Sequence, residues 1–335
     1  MLVFVATLAL AALQEQPEGA TKELLTELKS YRHKILYESN RDGNWEIYLA
    51  NADGSNPVNL TKTPDLAELY PKASPDGTKV CFCCDEGKDE HKRRNLYLMN
   101  IDGSGRRKFA DNGREPCWSA DSKFIAYVPG EFEQHTYSDF ATKGIRVYEL
   151  ATGQTKAHPY DSKIEHLYTL NLCPDSKWYV STVHGGMGFK HGIIAIEAEG
   201  PGVFDLKLSG CRPDVSPDGK MVIWGHGDYA VGLAELDFSG ATPTAKFIRD
   251  IVQSKDPMET YHADWSPDMK YISFTYGPKT KVHSLKGLLP EFPGVDAPGW
   301  NTCVADVSKV NRWVAITLDG KSCKEGDWVY VPEGK

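Results

Sequence analysis

The chain has 335 residues, with 38 Lys plus Arg against 46 Asp plus Glu, for a formal net charge of −8. An acidic chain without a basic stripe argues against nucleic acid as a partner, because phosphate binding needs clustered cations. A hydrophobic content of 41% rules against a disordered chain and suits an ordinary globular core.

Residues 2–13 carry no charge. They are too short to span a bilayer and fit the apolar region of a secretory signal peptide, with small residues Ala9, Ala11 and Ala12 for cleavage, although no basic segment precedes them. The expectation is a signal peptide over 1–13, no transmembrane segment, and a periplasmic or secreted protein. Residues 14–33 read as a linker and a short helix capped by Thr21, with Leu24, Leu25 and Leu28 on the face that packs against the domain C-terminal to it.

From Lys34-Ile35-Leu36-Tyr37 onward the chain repeats. The turn Ser74-Pro75-Asp76-Gly77 returns as Ser119-Ala120-Asp121-Ser122, Cys173-Pro174-Asp175-Ser176, Ser216-Pro217-Asp218-Gly219 and Ser266-Pro267-Asp268-Met269. Its residue types favour a type I turn, and a β-prone run comes after each copy. The interval suits four short strands, one propeller blade. A second signature keeps the same phase: an alternating strand such as Glu46-Ile47-Tyr48-Leu49 or Leu96-Tyr97-Leu98-Met99 that ends in a polar turn. Six copies of this strand stand against five of the turn, so the sixth inner strand is displaced. Asp327-Trp328-Val329 matches Asp264-Trp265-Ser266 and Cys117-Trp118-Ser119, which places it at the C-terminus. The sequence predicts an all-β fold: a six-bladed β-propeller of four-stranded blades over 34–332, closed by the C-terminal strand pairing with the first blade. Such closure hides strand edges that would otherwise invite aggregation.

Asn40-Arg41-Asp42-Gly43-Asn44-Trp45-Glu46-Ile47-Tyr48, then Asn51-Ala52-Asp53-Gly54-Ser55 and repeated Trp-Ser-Pro-Asp elements, resembles the TolB-like propeller repeats. The resemblance covers nearly everything after residue 33 and implies a fold and repeat class rather than an activity. TolB carries an α/β domain ahead of its propeller, for which the residues before 34 leave no room. Related propellers in prolyl-oligopeptidase-type peptidases gate a hydrolase domain, and this chain has no Gly-x-Ser-x-Gly elbow.

None of the eight cysteines has zinc-ligand spacing. Cys81, Cys83, Cys84, Cys117, Cys173 and Cys211 fall on or beside strands and read as buried thiols. Cys303 and Cys323 are the pair to test as a disulfide in an exported protein.

Phase and topology together select candidate site residues. The position four before each turn is expected near one mouth of the central channel. It holds Tyr70, Glu115, Thr169, Arg212 and His262, with Glu325 on the displaced strand. Two carboxylates, an Arg, a His and a Tyr converging there suit a small polar ligand or a partner's side chain as well as a solvated rim. The loops joining second and third strands share this face and add His184, His191 and His226. So do two long insertions over 129–144 and 277–299, carrying Phe132, His135, Tyr137 and Phe140, and Leu285, Leu288, Leu289 and Phe292. The reading is a non-catalytic binding module for a protein or cell-envelope component, with polysaccharide as a further candidate, and with no cofactor or metal. The alternative is an enzyme at the channel mouth, a polysaccharide lyase or a metal-assisted hydrolase. There, Tyr70 or His262 acts as base and Arg212 neutralises a substrate carboxylate.

Overall fold

The computed structural model describes residues 18–87, 93–131, 142–279 and 299–334. Six four-stranded antiparallel sheets form the blades, with strands numbered β1–β24 along the chain. Blade 1 contains β1 (Lys34–Ser39), β2 (Glu46–Asn51) and β3 (Val58–Asn59), with β24 (Cys323–Val329) as its innermost strand. Blade 2 is β4 (Ala67–Ala73), β5 (Lys79–Glu86), β6 (Arg93–Asn100) and β7 (Arg107–Ala110); blade 3 is β8 (Gly113–Trp118), β9 (Phe124–Pro129), β10 (Arg146–Glu149) and β11 (Thr155–Ala157). Blade 4 is β12 (Leu167–Leu172), β13 (Trp178–His184), β14 (His191–Glu197) and β15 (Val203–Asp205). Blade 5 is β16 (Cys211–Val215), β17 (Met221–Gly225), β18 (Ala230–Asp237) and β19 (Thr244–Gln253). Blade 6 is β20 (Met258–Trp265), β21 (Tyr271–Pro278), β22 (Asn301–Asp306) and β23 (Trp313–Ala315).

The repeated turn joins the first two strands of blades 2–6, and its residue types explain its geometry. The fourth residue donates its N–H to the carbonyl of the first, as in Gly77 to Ser74 at 2.8 Å and Met269 to Ser266 at 2.9 Å. The Ser hydroxyl and the amide two residues past the Asp both bond the Asp carboxylate: Ser216 Oγ at 2.6 Å and Lys220 N at 3.1 Å on Asp218. The Asp side chain therefore caps its own turn, which is why Ser-x-Asp recurs. The ring closes where the sequence places it, with Lys34 opposite Val329 and Ile35 opposite Trp328.

The core lies between neighbouring blades. Ile223, Val231 and Ile251 of blade 5 pack on Ile272, Phe274 and Trp313 of blade 6. At the closing seam, Tyr37 and Tyr48 of blade 1 meet Tyr271 and Val314 of blade 6 together with Trp328. Helix α1 (Glu18–Lys29) seals this seam: Leu24 and Leu28 are fully buried in that cluster, and Arg312 binds Glu27 at 2.6 Å. Its described part already includes Glu18, so Thr21 lies inside the helix rather than at its cap.

All eight cysteines are free, and all but Cys211 are buried. Cys303 sits in the cluster between blades 5 and 6 and Cys323 in the one between blades 6 and 1, so the expected disulfide is not formed. The segment 1–13 and the apolar residues of the two long insertions lie outside the described residues.

Candidate functional site

Every inner strand carries the same irregularity. Register shifts fall between Leu69 and Lys72, Arg114 and Cys117, Tyr168 and Asn171, Cys211 and Asp214, and Tyr261 and Asp264. The shift in blade 1 sets Leu36 against Asp327 but Glu38 against Lys324. Each is a β-bulge with two residues opposing one. The first residue of each bulge is Tyr70, Glu115, Thr169, Arg212, His262 or Glu325, and their φ values are +53°, +51°, +54°, +57°, +46° and +51°. Side chains rarely accept this region, least of all a β-branched Thr. Six such residues in register mark a feature that the ring imposes. Part of the offset comes from amides held by the neighbouring blade: Tyr70 N donates to Glu38 Oε2 at 2.7 Å, and Arg212 N to Thr182 Oγ1 at 2.9 Å.

The six candidates thus stand together inside the channel. All but Thr169 are buried. Arg212, His262 and Glu325, from blades 5, 6 and 1, form one cluster. Arg212 Nη1 lies 2.8 Å from His262 Nδ1, and Glu325 Oε2 contacts the same nitrogen. The Arg212 guanidinium also covers the Tyr168 ring at 4.3 Å. Burial, reinforced by Arg212, holds the His262 pKa well below its usual range, and burial pushes the Glu325 carboxyl well up. Both directions favour a neutral pair. His262 Nε2, Glu325 Oε1 and Thr169 Oγ1 are buried without a hydrogen-bond partner among the described residues. They adjoin a cavity of about 30 Å³, room for a water rather than a sugar ring.

Two residues further along each inner strand a second ring projects toward the turns: Lys72, Cys117, Asn171, Asp214, Asp264 and Asp327. It floors a cavity of about 340 Å³ at the turn-side mouth. The indoles of Trp118, Trp265 and Trp328 and the turn residues Pro75, Pro174, Pro217 and Pro267 line the same cavity. Two of the indoles are pinned to the preceding blade: Trp118 Nε1 donates to Lys72 O at 2.9 Å and Trp265 Nε1 to Asp214 O at 3.2 Å. Lys72 forms an ion pair with Asp264, and both border the smaller cavity too, so this pair divides the channel. Burial raises the Asp327 pKa to about 7 and drives Asp214 well up, with neighbouring Asp264 adding to both; three carboxylates share one lysine.

His184, His191 and His226 do not join the channel cluster. His226 Nδ1 bonds Asp250 Oδ1 at 2.9 Å toward the outer strand of blade 5. His184 and His191 face each other across the β13–β14 hairpin. Among the described residues, no three His, Cys, Asp or Glu are grouped to hold a metal ion. The turn-side ring was missed in the sequence, although its signal was present: Asp214, Asp264 and Asp327 occupy one phase in three successive inner strands.

No family model matches the chain. Over 81 residues, 24% of the chain, it is 41% identical to the protein TolB homolog of Chlorobaculum tepidum, a stretch that amounts to 17% of that relative's length. Among solved structures it is similar to TolB from Acinetobacter baumannii, with a TM-score of 0.58 and 17% identity over 89% of this chain and 66% of that one. A nidogen/laminin complex gives a TM-score of 0.58 at 8% identity over 89% of this chain and 98% of that one. An oligogalacturonate lyase in complex with manganese gives 0.50 at 13% identity over 84% and 73%. At these identities the structural likeness is one of fold. Fold and repeat together define a TolB-like six-bladed β-propeller.

Proposed function

We propose that this chain is an exported, non-catalytic binding module that receives a segment of a protein or cell-envelope partner at the turn-side mouth of its channel. The observation that carries the reading is the cavity of about 340 Å³ with three indoles on its walls and three aspartates opposite one lysine on its floor. Concave, mostly apolar sites with a few fixed polar groups are where ligands dock. The surplus of carboxylates selects a cationic tip, Lys or Arg, flanked by apolar residues. The contact is therefore placed opposite the ring of Tyr70, Glu115, Arg212, His262 and Glu325. Export rests on the uncharged stretch over 2–13. Among the described residues, no helix is long and apolar enough to cross a membrane.

The enzyme reading draws on the His262–Glu325 contact, a base oriented by a carboxyl group, with Arg212 beside it. The cavity there, about 30 Å³, does not admit a saccharide, so binding is the better supported reading.

Short peptides that place Lys or Arg next to apolar residues test the proposal through the fluorescence of the cavity tryptophans. Saturable quenching is expected at pH 8, above the raised Asp327 pKa, and weakened at least tenfold by Asp264→Asn or Asp327→Asn. Binding unaffected by both substitutions overturns it.

A further inference from the structure

The segment 30–33, between α1 and β1, is tied to the far end of the chain. Tyr31 donates its hydroxyl hydrogen to Asp268 in the β20–β21 turn, and Arg32 Nη1 bonds Glu333 Oε1 at 2.7 Å. Next to them His33, only 1% exposed, accepts the Val331 N–H on Nδ1 at 3.0 Å. The rings of Tyr31 and Tyr330 flank its imidazole, with centroids 5.2 and 5.4 Å away.

This setting suits one protonation state. A backbone amide only donates, so Nδ1 keeps its lone pair and the neutral ring carries its proton on Nε2. Nε2 faces Arg32 Nε at 3.5 Å, and that nitrogen also only donates. Among the described residues, neither ring nitrogen meets an acceptor. An imidazolium would turn an N–H against the Val331 amide and lose that bond. The neighbouring charges act in opposite senses. Asp268 favours the cation, but its Oδ1 already accepts from Tyr31, Ser266 and Lys270; Arg32 opposes it. Burial is the largest effect and holds the His33 pKa below its usual range.

We propose that His33 is a pH-sensitive latch: when neutral it clamps the chain after β24 to the segment after α1, and on protonation it releases Val331. Trp328 and Tyr330 line the turn-side cavity, so the latch braces one wall of it. The latch depends on one ring's protonation and not on whether a partner binds there. A histidine whose folded pKa is depressed contributes stability that is full above its unfolded value of about 6.5 and is lost as pH falls below it.

Amide hydrogen exchange of the full chain, read by NMR at pH 7.5 and pH 5 and corrected for intrinsic rates, tests it. Val331 protection should fall at least fivefold at pH 5, toward the roughly thirtyfold that a released ring of pKa about 6.5 allows. Val180, buried in blade 4, should keep its protection. Asparagine offers an uncharged acceptor near the place of Nδ1, so in His33→Asn the fall should vanish. Ring-nitrogen spectra of the unaltered protein give a reading that needs no variant: the neutral ring should carry its proton on Nε2, and Val331 protection should follow the His33 titration. Equal Val331 protection at both pH values, a fall that persists in His33→Asn, or a neutral ring protonated on Nδ1 would overturn the proposal.

Discussion

Asp327 shows how a single residue ties the channel to pH. Its carboxyl is buried beside Asp264, and its pKa rises to about 7 while Oδ2 accepts the Ala73 amide. A carboxyl with a raised folded pKa binds protons more tightly in the native state. Its contribution is fully present below the unfolded value of about 3.9 and is lost as pH rises to about 7. Asp327→Asn keeps the acceptor and removes the charge. The variant should match the parent near pH 4 and exceed its Tm at pH 8 by roughly 5 °C. Thermal melts across that range check this, and parallel curves for the two proteins would show that the carboxylate is stably ionised. The Arg94–Asp85 pair makes the complementary case. Its bonds of 2.7 and 3.0 Å are buried, so Asp85→Ala removes two charge-assisted bonds from the Arg94 guanidinium and should cost about 1.5–3 kcal/mol in denaturant unfolding. At this scale the sequence located the ring of Tyr70, Glu115, Thr169, Arg212, His262 and Glu325, because the phase of a repeat transfers from blade to blade. It did not reveal their burial or positive φ. Left-handed backbone is usually announced by Gly or Asn, and none of the six is either.

The turns were the most legible elements, since Ser-x-Asp encodes its own hydrogen bonds. What the pattern left open is which copy demands glycine. Ser122, Ser176 and Met269 occupy the left-handed fourth position with φ of about +60°, so the turn itself tolerates a side chain. At Gly77 a Cβ would overlap the carbonyl oxygen of Tyr330, whereas at Gly219 it would meet only the Pro174 ring at 3.3 Å. Gly77→Ala should therefore destabilise by more than about 2 kcal/mol and Gly219→Ala by under about 1 kcal/mol. Equal losses in chemical unfolding would mean that the chain after β24 yields easily. Helix α1 was also legible in type and apolar face. The cap was not, because Thr21 resembles a cap residue while the helix already includes Glu18. Leu28→Ala, at a site with no exposure, should cost roughly 2–5 kcal/mol if the helix is an integral wedge in the closing seam.

Across the whole molecule, stability depends on closing the ring. β24 completes blade 1 from the far end of the chain, and the seam around it gathers Tyr37, Tyr271 and Trp328 under α1. Ending the chain after Ser322 should abolish cooperative unfolding and expose the edge of β1 to aggregation. A truncated chain that still melts in one sharp transition would show that five complete blades suffice. The architecture was readable from two repeat signatures in one phase, and the surplus copy of the second pointed to the displaced strand. The turn-side cavity was missed although the phase of Asp214, Asp264 and Asp327 marked its floor, because its walls, the indoles and prolines of separate blades, enclose a space only once the ring is closed.

Entry of a partner by the turn-side mouth is what sets this propeller's proposed role apart from binding on the opposite face. A photo-crosslinking residue at Ala120, an exposed turn position bordering the cavity, compared with one at Asp228 on the opposite face, tests it most directly. One discrete adduct is expected from position 120 in the native host, lost when Asp264→Lys is added, and none from position 228. Adducts from position 228 alone, or adducts at 120 indifferent to Asp264→Lys, would contradict it.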